Sequence, residues 1–84
     1  MIYVYIIQSE KDKRFYVGMS ENVEIRLNQH NSGKTKSTKG YKPWKLLFFE
    51  EFETRQEARK REKYLKSGIG KEYIKIKWPR SSTE

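Results

Sequence analysis

The sequence predicts an α+β fold with its elements in the order β-β-α-β-α-(α). Three observations carry this expectation. Two short segments rich in strand formers, residues 2–7 and 14–18, follow one another across a polar stretch, as in a hairpin. A third, WKLLFFEEF over residues 44–52, is the strongest strand signal in the chain and is bounded by Pro43 and by Glu53 and Thr54. Between and after these strands lie segments with helical spacing and recognisable start and stop residues. The 84 residues are read as one domain, 1–84, with a thin core. A chain this short buries only about 60–65% of the surface it exposes when unfolded.

Residues 2–7 are apolar on both alternating sets, Ile2, Val4 and Ile6 on one and Tyr3, Tyr5 and Ile7 on the other. A strand covered on both faces has this pattern. Residues 9–13 are polar, and no Asn-Gly or Gly-rich pair marks a tight turn, so a four-residue loop is expected. With that loop centred between Glu10 and Lys11, Tyr5 lies directly across from Tyr16 on the same face of the sheet. A one-residue slip would put them on opposite faces. The chain then turns at Gly18 and enters a helix over residues 22–31, with Ser20 or Asn22 as its cap and Gly33 as its stop. Spacing of about 100° per residue puts Val23, Leu27 and His30 on one stripe, with Arg26 at its edge. Ile25 points away from that stripe.

Residues 32–42, SGKTKSTKGYK, hold no acid and cannot supply core, so they read as a loop. In the strand 44–52, Leu46, Phe48 and Phe52 face one way and Leu47 and Phe49 the other, as expected at the centre of a sheet or in a well-covered strand. Thr54 opens T-R-Q-E, a capping box in which Glu57 reaches back to the cap. The helix continues to about residue 67, where Gly68 stops it. Its stripe contains Ala58, Leu65 and Ile69, and Glu62 falls within about 40° of Ala58. Residues 68–78 fit either a short last helix or an extended segment, anchored by Tyr73, Ile74, Ile76 and Trp78. Pro79 ends it, and residues 81–84 form a frayed tail.

Composition narrows the function. With 19 Lys and Arg against 11 Asp and Glu, the net charge is +8, and 2 Trp, 6 Tyr and 4 Phe accompany it. Such an excess on a small domain makes a polyanion the first partner to consider, and nucleic acid is the commonest. There is no cysteine, which excludes disulfides and thiolate metal sites, and the single histidine excludes a multi-His zinc site. No apolar run approaches the ~20 residues of a membrane span, so no membrane partner is expected. The N-terminal MIYVYIIQS has no basic stretch before it and reads as a strand rather than a signal peptide. A cytoplasmic location is the expectation.

Five residues stand out. Arg26 and His30 are four apart, so on a helix their Cβ atoms are roughly 6 Å from each other. They border an apolar stripe just after the strand carrying Tyr16, whose hairpin partner carries Tyr5. Glu62 points toward the protein, and a carboxylate taken from water without a partner costs several kcal/mol. It therefore needs an arginine, a tyrosine hydroxyl or a metal. A salt bridge to Arg61, Lys66 or Arg26 is one solution, and metal coordination in a shallow site is the other. Phosphodiester hydrolysis needs a set of this kind. An attacking water must lose a proton, charge on the phosphoryl oxygens must be neutralised, and the leaving oxygen needs an electrophile. One carboxylate with several waters suits Mg²⁺. Tyrosine, with an ordinary pKa of about 10, serves as a base only where a nearby cation or metal-bound water favours the phenolate. Lys34, Lys36, Lys39 and Lys42, with the hydroxyls and backbone N–H groups of their loop, offer phosphate contacts.

At these residues the sequence resembles the GIY-YIG nuclease superfamily. Tyr3-Val4-Tyr5 stands at the first signature, without its glycine, and Tyr16-Val17-Gly18 at the second. Arg26 matches the helix arginine and His30 the Tyr or His that often follows four residues later. Glu57-Ala58, Glu62 and Leu65-Lys66 match the metal-binding helix. The passage Tyr41-Lys42-Pro43-Trp44-Lys45-Leu46 is typical of the small stand-alone, excinuclease-like members, and the match spans residues 3–71. The resemblance implies a small three-stranded antiparallel sheet flanked by helices, and a metal-dependent DNA endonuclease or nickase that is structure-selective and works in DNA repair or processing. It implies Tyr5 and Tyr16 bracketing the attacking water, with Tyr16 favoured as base, and Arg26 stabilising the pentacovalent phosphorus. His30 would contact phosphate or share in proton transfer, and Glu62 would hold one Mg²⁺ or Mn²⁺ near the leaving group. DNA is favoured over RNA. Larger members carry separate recognition domains, so substrate choice here falls to the domain's shape, its lysine loop or a partner protein.

Two departures are visible. Met19 follows Gly18 where repair members carry a lysine, and the late polar residue of other members has no clear counterpart after Ile69. They motivate an alternative, a non-catalytic nucleic-acid-binding module on the same fold. A third reading, a basic partner for an acidic protein, accounts for the charge but not for the inward glutamate.

Overall fold

β1 (Ile2–Ser9), apolar on both faces, takes the middle of a three-stranded antiparallel sheet ordered β2-β1-β3, with β2 spanning Phe15–Ser20 and β3 Trp44–Phe52. The computed structural model describes residues 1–78. α1 (Val23–Asn31) lies between β2 and β3 in the chain, and α2 (Arg55–Lys66) and α3 (Gly68–Lys77) follow β3. The last segment is therefore a helix; its expected stop at Pro79 and the tail 81–84 lie outside the described residues. Among the described residues no helix is long and apolar enough to cross a membrane.

Both faces of β1 are covered, each by a different core. Ile2, Val4 and Ile6 pack with Val17 and with Ala58, Leu65 and Ile74 of α2 and α3. Tyr5 and Ile7 pack with Trp44, and Tyr16, Val23, Leu27 and Tyr41 close around them. α1 thus lays its Val23 and Leu27 stripe on one face, while α2 and α3 cover the other. Ile25, off that stripe, is 55% exposed.

The hairpin has the expected four-residue loop, residues 10–13, closed by the Ser9 N–H donating to the Arg14 carbonyl at 2.9 Å. Its centre lies one residue later than expected. The Ser9 hydroxyl accepts from the N–H groups of Lys11 (3.0 Å) and Asp12 (3.3 Å), which carries β1 through Ser9 before the chain turns. Lys13 completes the turn with φ of 67°. Consequently Tyr5 pairs with Gly18 and Ile7 with Tyr16, not Tyr5 with Tyr16. A register displaced by two keeps every side chain on its face, so both tyrosines remain on the α1 side. Gly18 is not a turn either; it sits inside β2.

β3 is an edge strand rather than the centre of the sheet. Ile6 pairs with Phe48 and Ile7 with Leu46, so Leu47 is an extra residue, a bulge. The bulge reverses the alternation. Leu46 joins Phe49 on the α1 side, where both line a groove with Tyr3 and Leu27, while Leu47, Phe48 and Phe52 pack toward α2 and α3.

Helix ends follow the capping residues. The Asn22 side chain accepts from Ile25 N–H at 3.0 Å, so Asn22 and not Ser20 is the cap. Gly33, at φ of 83°, ends α1 with its N–H to the His30 carbonyl and the Lys34 N–H to that of Gln29, the pattern of a glycine-terminated helix. Thr54 caps α2 by accepting from Glu57 N–H at 3.2 Å. Ser67 ends α2 and caps α3 through Gly70 N–H. Because α3 begins at once, Ile69 leaves the α2 stripe and is 72% exposed.

The loop 32–42 is not free of core. It forms a 3₁₀ turn over Lys39–Tyr41 and buries Thr38 completely. Trp44 holds it down, donating its indole N–H to the Thr38 carbonyl at 2.9 Å. The Asn31 side-chain amide bonds both the N–H and the carbonyl of Trp44, pinning the end of α1 to the start of β3.

Candidate active site

Tyr5 extends over Gly18, its cross-strand partner. A Cβ placed on Gly18 would lie 2.5 Å from the Tyr5 hydroxyl oxygen and 2.7 Å from its Cζ, well inside contact distance. The glycine of Tyr16-Val17-Gly18 is therefore a space requirement: any side chain there would displace the phenol.

The Tyr5 hydroxyl, itself buried, stands 2.9 Å from His30 Nε2, and His30 Nδ1 stands 2.8 Å from Thr38 Oγ1. The proton positions follow from the ends of this chain. The Thr35 carbonyl can only accept, and takes the Thr38 hydroxyl proton at 3.4 Å. The Thr38 oxygen then accepts from Nδ1–H, so Nε2 is left to accept from the Tyr5 hydroxyl. Arg26, which can only donate, comes within hydrogen-bonding reach of the Tyr5 oxygen. His30 is held neutral: burial, and then the Arg26 charge, push its pKa down from 6.5 to about 4. Burial likewise pushes the Tyr5 phenol above its ordinary value. Arg26 works against that rise, and Tyr16 and Glu62 add to it.

Tyr16 is placed differently. It is half-buried, its ring centroid is 5.1 Å from that of His30, and Lys66 Nζ lies 5.9 Å from the ring. Its hydroxyl takes no hydrogen bond from or to any other described residue. Arg26 is braced by Gln29, whose Oε1 accepts from Nη1 at 2.8 Å.

Glu62 turns inward as its spacing indicates, with only 15% of its side chain exposed. Its partners are Lys66 at 3.1 Å and Arg59 at 3.5 Å, one helical turn away on either side. Of the three expected cations only Lys66 is there. Arg61 pairs instead with Glu50 of β3 at 2.7 Å, and Arg26 is held by Gln29. The two cations on Glu62 are 50% and 59% exposed, and such pairs contribute only about 0–1 kcal/mol. Glu62 is thus an inward carboxylate with easily displaced partners.

Among the described residues no three His, Cys, Asp or Glu side chains cluster closely enough to hold a metal ion between them. A divalent ion here would have Glu62 as its one carboxylate. That donor set fits a hard ion that retains water, such as Mg²⁺, and does not fit a closed zinc site. Lys34, Lys36, Lys39 and Lys42 are all exposed, on a loop whose Thr38 is fastened to His30.

Four elements therefore bring Tyr5, Tyr16, Arg26, His30 and Glu62 into one neighbourhood. Residue-by-residue reading missed Thr38, which carries no signal in the sequence because it looks like any loop hydroxyl among lysines. It also missed why position 18 is glycine; the register of the hairpin would have revealed it.

The fold is of the nuclease type: the chain belongs to the GIY-YIG family, and residues 1–75 match the GIY-YIG catalytic domain. Its relatives are uncharacterised proteins. It is 46% identical over 67 residues to UPF0213 protein CPE1444 of Clostridium perfringens, covering 79% of this chain and 71% of that protein. UPF0213 protein SH2523 of Staphylococcus haemolyticus is 39% identical over 75 residues, covering 88% and 90%. The solution NMR structure of UPF0213 protein BH0048 from Bacillus halodurans is similar at a TM-score of 0.55 and 31% identity, covering 98% of this chain and 89% of that one.

Two predictions follow from this geometry. Gly18→Ala forces the Tyr5 ring aside; overpacking of this kind costs about 1–3 kcal/mol, read as a lower denaturation midpoint, and an unchanged midpoint would contradict the contact. For His30, the unfolded chain protonates near 6.5 and the folded one near 4, so protons favour unfolding between these values. Neutral His30 contributes its full stabilisation above about pH 6.5, and up to about 3 kcal/mol of it is lost as the pH falls to 4. Denaturant titrations at pH 7 and pH 4.5 should show a smaller drop for His30→Gln than for the natural chain.

Proposed function

We propose that this chain is a single-domain, metal-dependent DNA endonuclease or nickase that hydrolyses phosphodiester bonds, selects substrates by structure, and acts in DNA repair or processing in the cytoplasm. The observation that carries this reading is the neighbourhood of an inward carboxylate, a buried phenol-imidazole pair beside the half-buried Arg26 and a second phenol with an unengaged hydroxyl.

Tyr16 is assigned as the general base. Its hydroxyl is open to a water, and the Lys66 ammonium stands 5.9 Å from its ring. Tyr5 is the less suitable base, because burial raises its pKa and its proton is committed to His30. Its role is to orient the water and fix Arg26. Arg26 neutralises the charge that builds on the phosphoryl oxygens, a task for a preorganised cation in a partly dry site. His30 holds Tyr5 in position and contacts phosphate once substrate is bound. Glu62, released from Lys66 and Arg59, would hold one Mg²⁺ or Mn²⁺. When bound, that ion supplies charge stabilisation for the leaving oxygen. The freed Lys66 then faces Tyr16 and the phosphate. The exposed lysines of the loop 32–42 grip the flanking backbone, and a partner protein is a further source of targeting.

The ion pairs on Glu62, with Met19 beside Gly18, favour one other reading, a nucleic-acid-binding module without turnover. The two separate cleanly. With Mg²⁺ or Mn²⁺, purified protein should cut branched, nicked or single-stranded DNA, and chelation should stop it. Tyr16→Phe should lower the rate by about 10²–10⁴, the range for a lost acid-base group, and Glu62→Ala should lower it by weakening the hold on the metal ion. No cleavage of any of these substrates, with Glu62→Ala indistinguishable from the natural chain, would remove the enzyme reading. In either case Lys36→Glu or Lys39→Glu should weaken DNA binding and flatten its salt dependence by about one unit of slope per lost phosphate contact. Unchanged affinity at low salt would exclude the loop from the interface.

A further inference from the structure

Beside the cluster, on the other side of Tyr16, the structure has a cavity of about 430 Å³ between the outer edge of β2 and the corner of α2 and α3. Its floor is apolar, formed by the half-buried Phe15 and the buried Val17 and Ile74. Its rim carries Lys66, Lys71 and Lys75, and no acidic residue lines it. Lys66 is the partner of Glu62 and Lys75 stands 3.9 Å from Glu72, whereas the Lys71 ammonium makes no ion pair with any described residue. Arg14 also borders the cavity but is committed, bonded to Asp12 and stacked 3.6 Å over the Tyr41 ring.

We propose that this cavity receives one unpaired base of the nucleic acid strand held at the candidate active site. The proposal rests on the nucleic-acid reading above and specifies which part of the polymer is recognised. An apolar floor inside a ring of cations fits a group with a flat apolar face attached to an anionic backbone. A nucleotide is such a group; a hydrocarbon ligand would not need the lysines, and an inorganic phosphate would not need the floor. β2 is an edge strand, so its outer N–H and carbonyl groups are free of sheet pairing and can meet the polar edge of a base. Phe15 offers a ring for stacking, which is tolerant of base identity. A base stacked and paired within a duplex cannot enter, so the substrate must present an unstacked nucleotide, as at a single-stranded end, a flap or a flipped position.

Continuity with the catalytic cluster sets the register. Tyr16 and Lys66 belong to both, so the base in the cavity is attached next to the phosphate that faces Tyr16. Structure selectivity then has a physical source: duplex DNA meets only the lysine loop, while an unpaired nucleotide fills the cavity and brings its phosphate to the phenol.

The test measures binding with the natural chain in EDTA, where no metal-dependent cleavage interferes. A short single-stranded oligonucleotide is compared with a fully abasic sugar-phosphate oligomer of the same length and charge. Matched charge makes the electrostatic term equal. The base-bearing strand should bind about tenfold more tightly, within the range of one stacked base, and Val17 and Ile74 methyl resonances should shift with it and not with the abasic strand. Lys71→Glu should weaken both polymers. Equal affinity for the two, or methyl shifts that leave Val17 and Ile74 untouched, would overturn the proposal. Tight, base-dependent binding without any cleavage in Mg²⁺ would sink the nuclease reading and leave this one; cleavage of the abasic strand at an undiminished rate would do the reverse.

Discussion

The arrangement depends on a buried histidine with both ring nitrogens engaged. His30, on α1, has no exposed surface, and its two partners come from other parts of the fold: Tyr5 from the central strand and Thr38 from the lysine loop. Leaving either nitrogen unpaired in that interior would cost about 1–3 kcal/mol. The imidazole therefore fixes where the loop and the phenol must sit. Trp44 reinforces it, since its indole holds the Thr38 carbonyl while the Asn31 side chain holds its backbone. A loop whose one aromatic residue is Tyr41 is thereby given a defined path. Among the described residues every buried side-chain polar atom has a partner, so the network closes.

The same interior separates the two phenols. Tyr5 is buried with its hydroxyl bonded to His30, and its burial resists ionisation while Arg26 works the other way. Tyr16, on the edge strand and one pairing step along, is half-buried with a lysine near its ring. One phenol is thus enclosed and bonded to His30, and the other is half-open. Gly18 makes this possible. Without it the Tyr5 ring could not cross β2, and the carboxylate on α2, which packs on the opposite face of the sheet, would be out of electrostatic reach of the hydroxyl.

Much of this was legible in the sequence where local chemistry decides the outcome. The doubly apolar 2–7 is the central strand, Asn22 and Thr54 cap their helices, Gly33 ends the first, and Glu62 turns inward beside Ala58. What was hidden depends on long-range fit. The hairpin register is set by the Ser9 hydroxyl, which bonds two loop N–H groups, and no turn motif announces it. The bulge at Leu47 reverses the faces of β3, and an alternating apolar strand reads the same with or without it. The partners of Glu62 could not be chosen from spacing alone, because α2 carries cations on all sides and Arg61 found a better-aligned carboxylate in Glu50. Thr38 is the extreme case: its burial follows from what His30 needs, not from anything in its own neighbourhood.

Charge is distributed as unevenly as polarity. The groove on the far side of α1, lined by Tyr3, Leu46 and Phe49, is bordered by Glu21 and Glu24. These acids stand on a chain of net charge +8, so a polyanion is disfavoured along that edge of the sheet and favoured along the other, where Lys66, Lys71 and Lys75 surround the cavity beside Tyr16. Opposed fields of this kind orient an incoming strand before any contact forms. Lys66, one of these three, is also a cation paired with Glu62. An anion that draws this lysine away would leave the inward carboxylate to Arg59, the more exposed of its two partners. The Glu62 ion pairs are weak enough to exchange in this way, because both cations are exposed and such pairs contribute only about 0–1 kcal/mol.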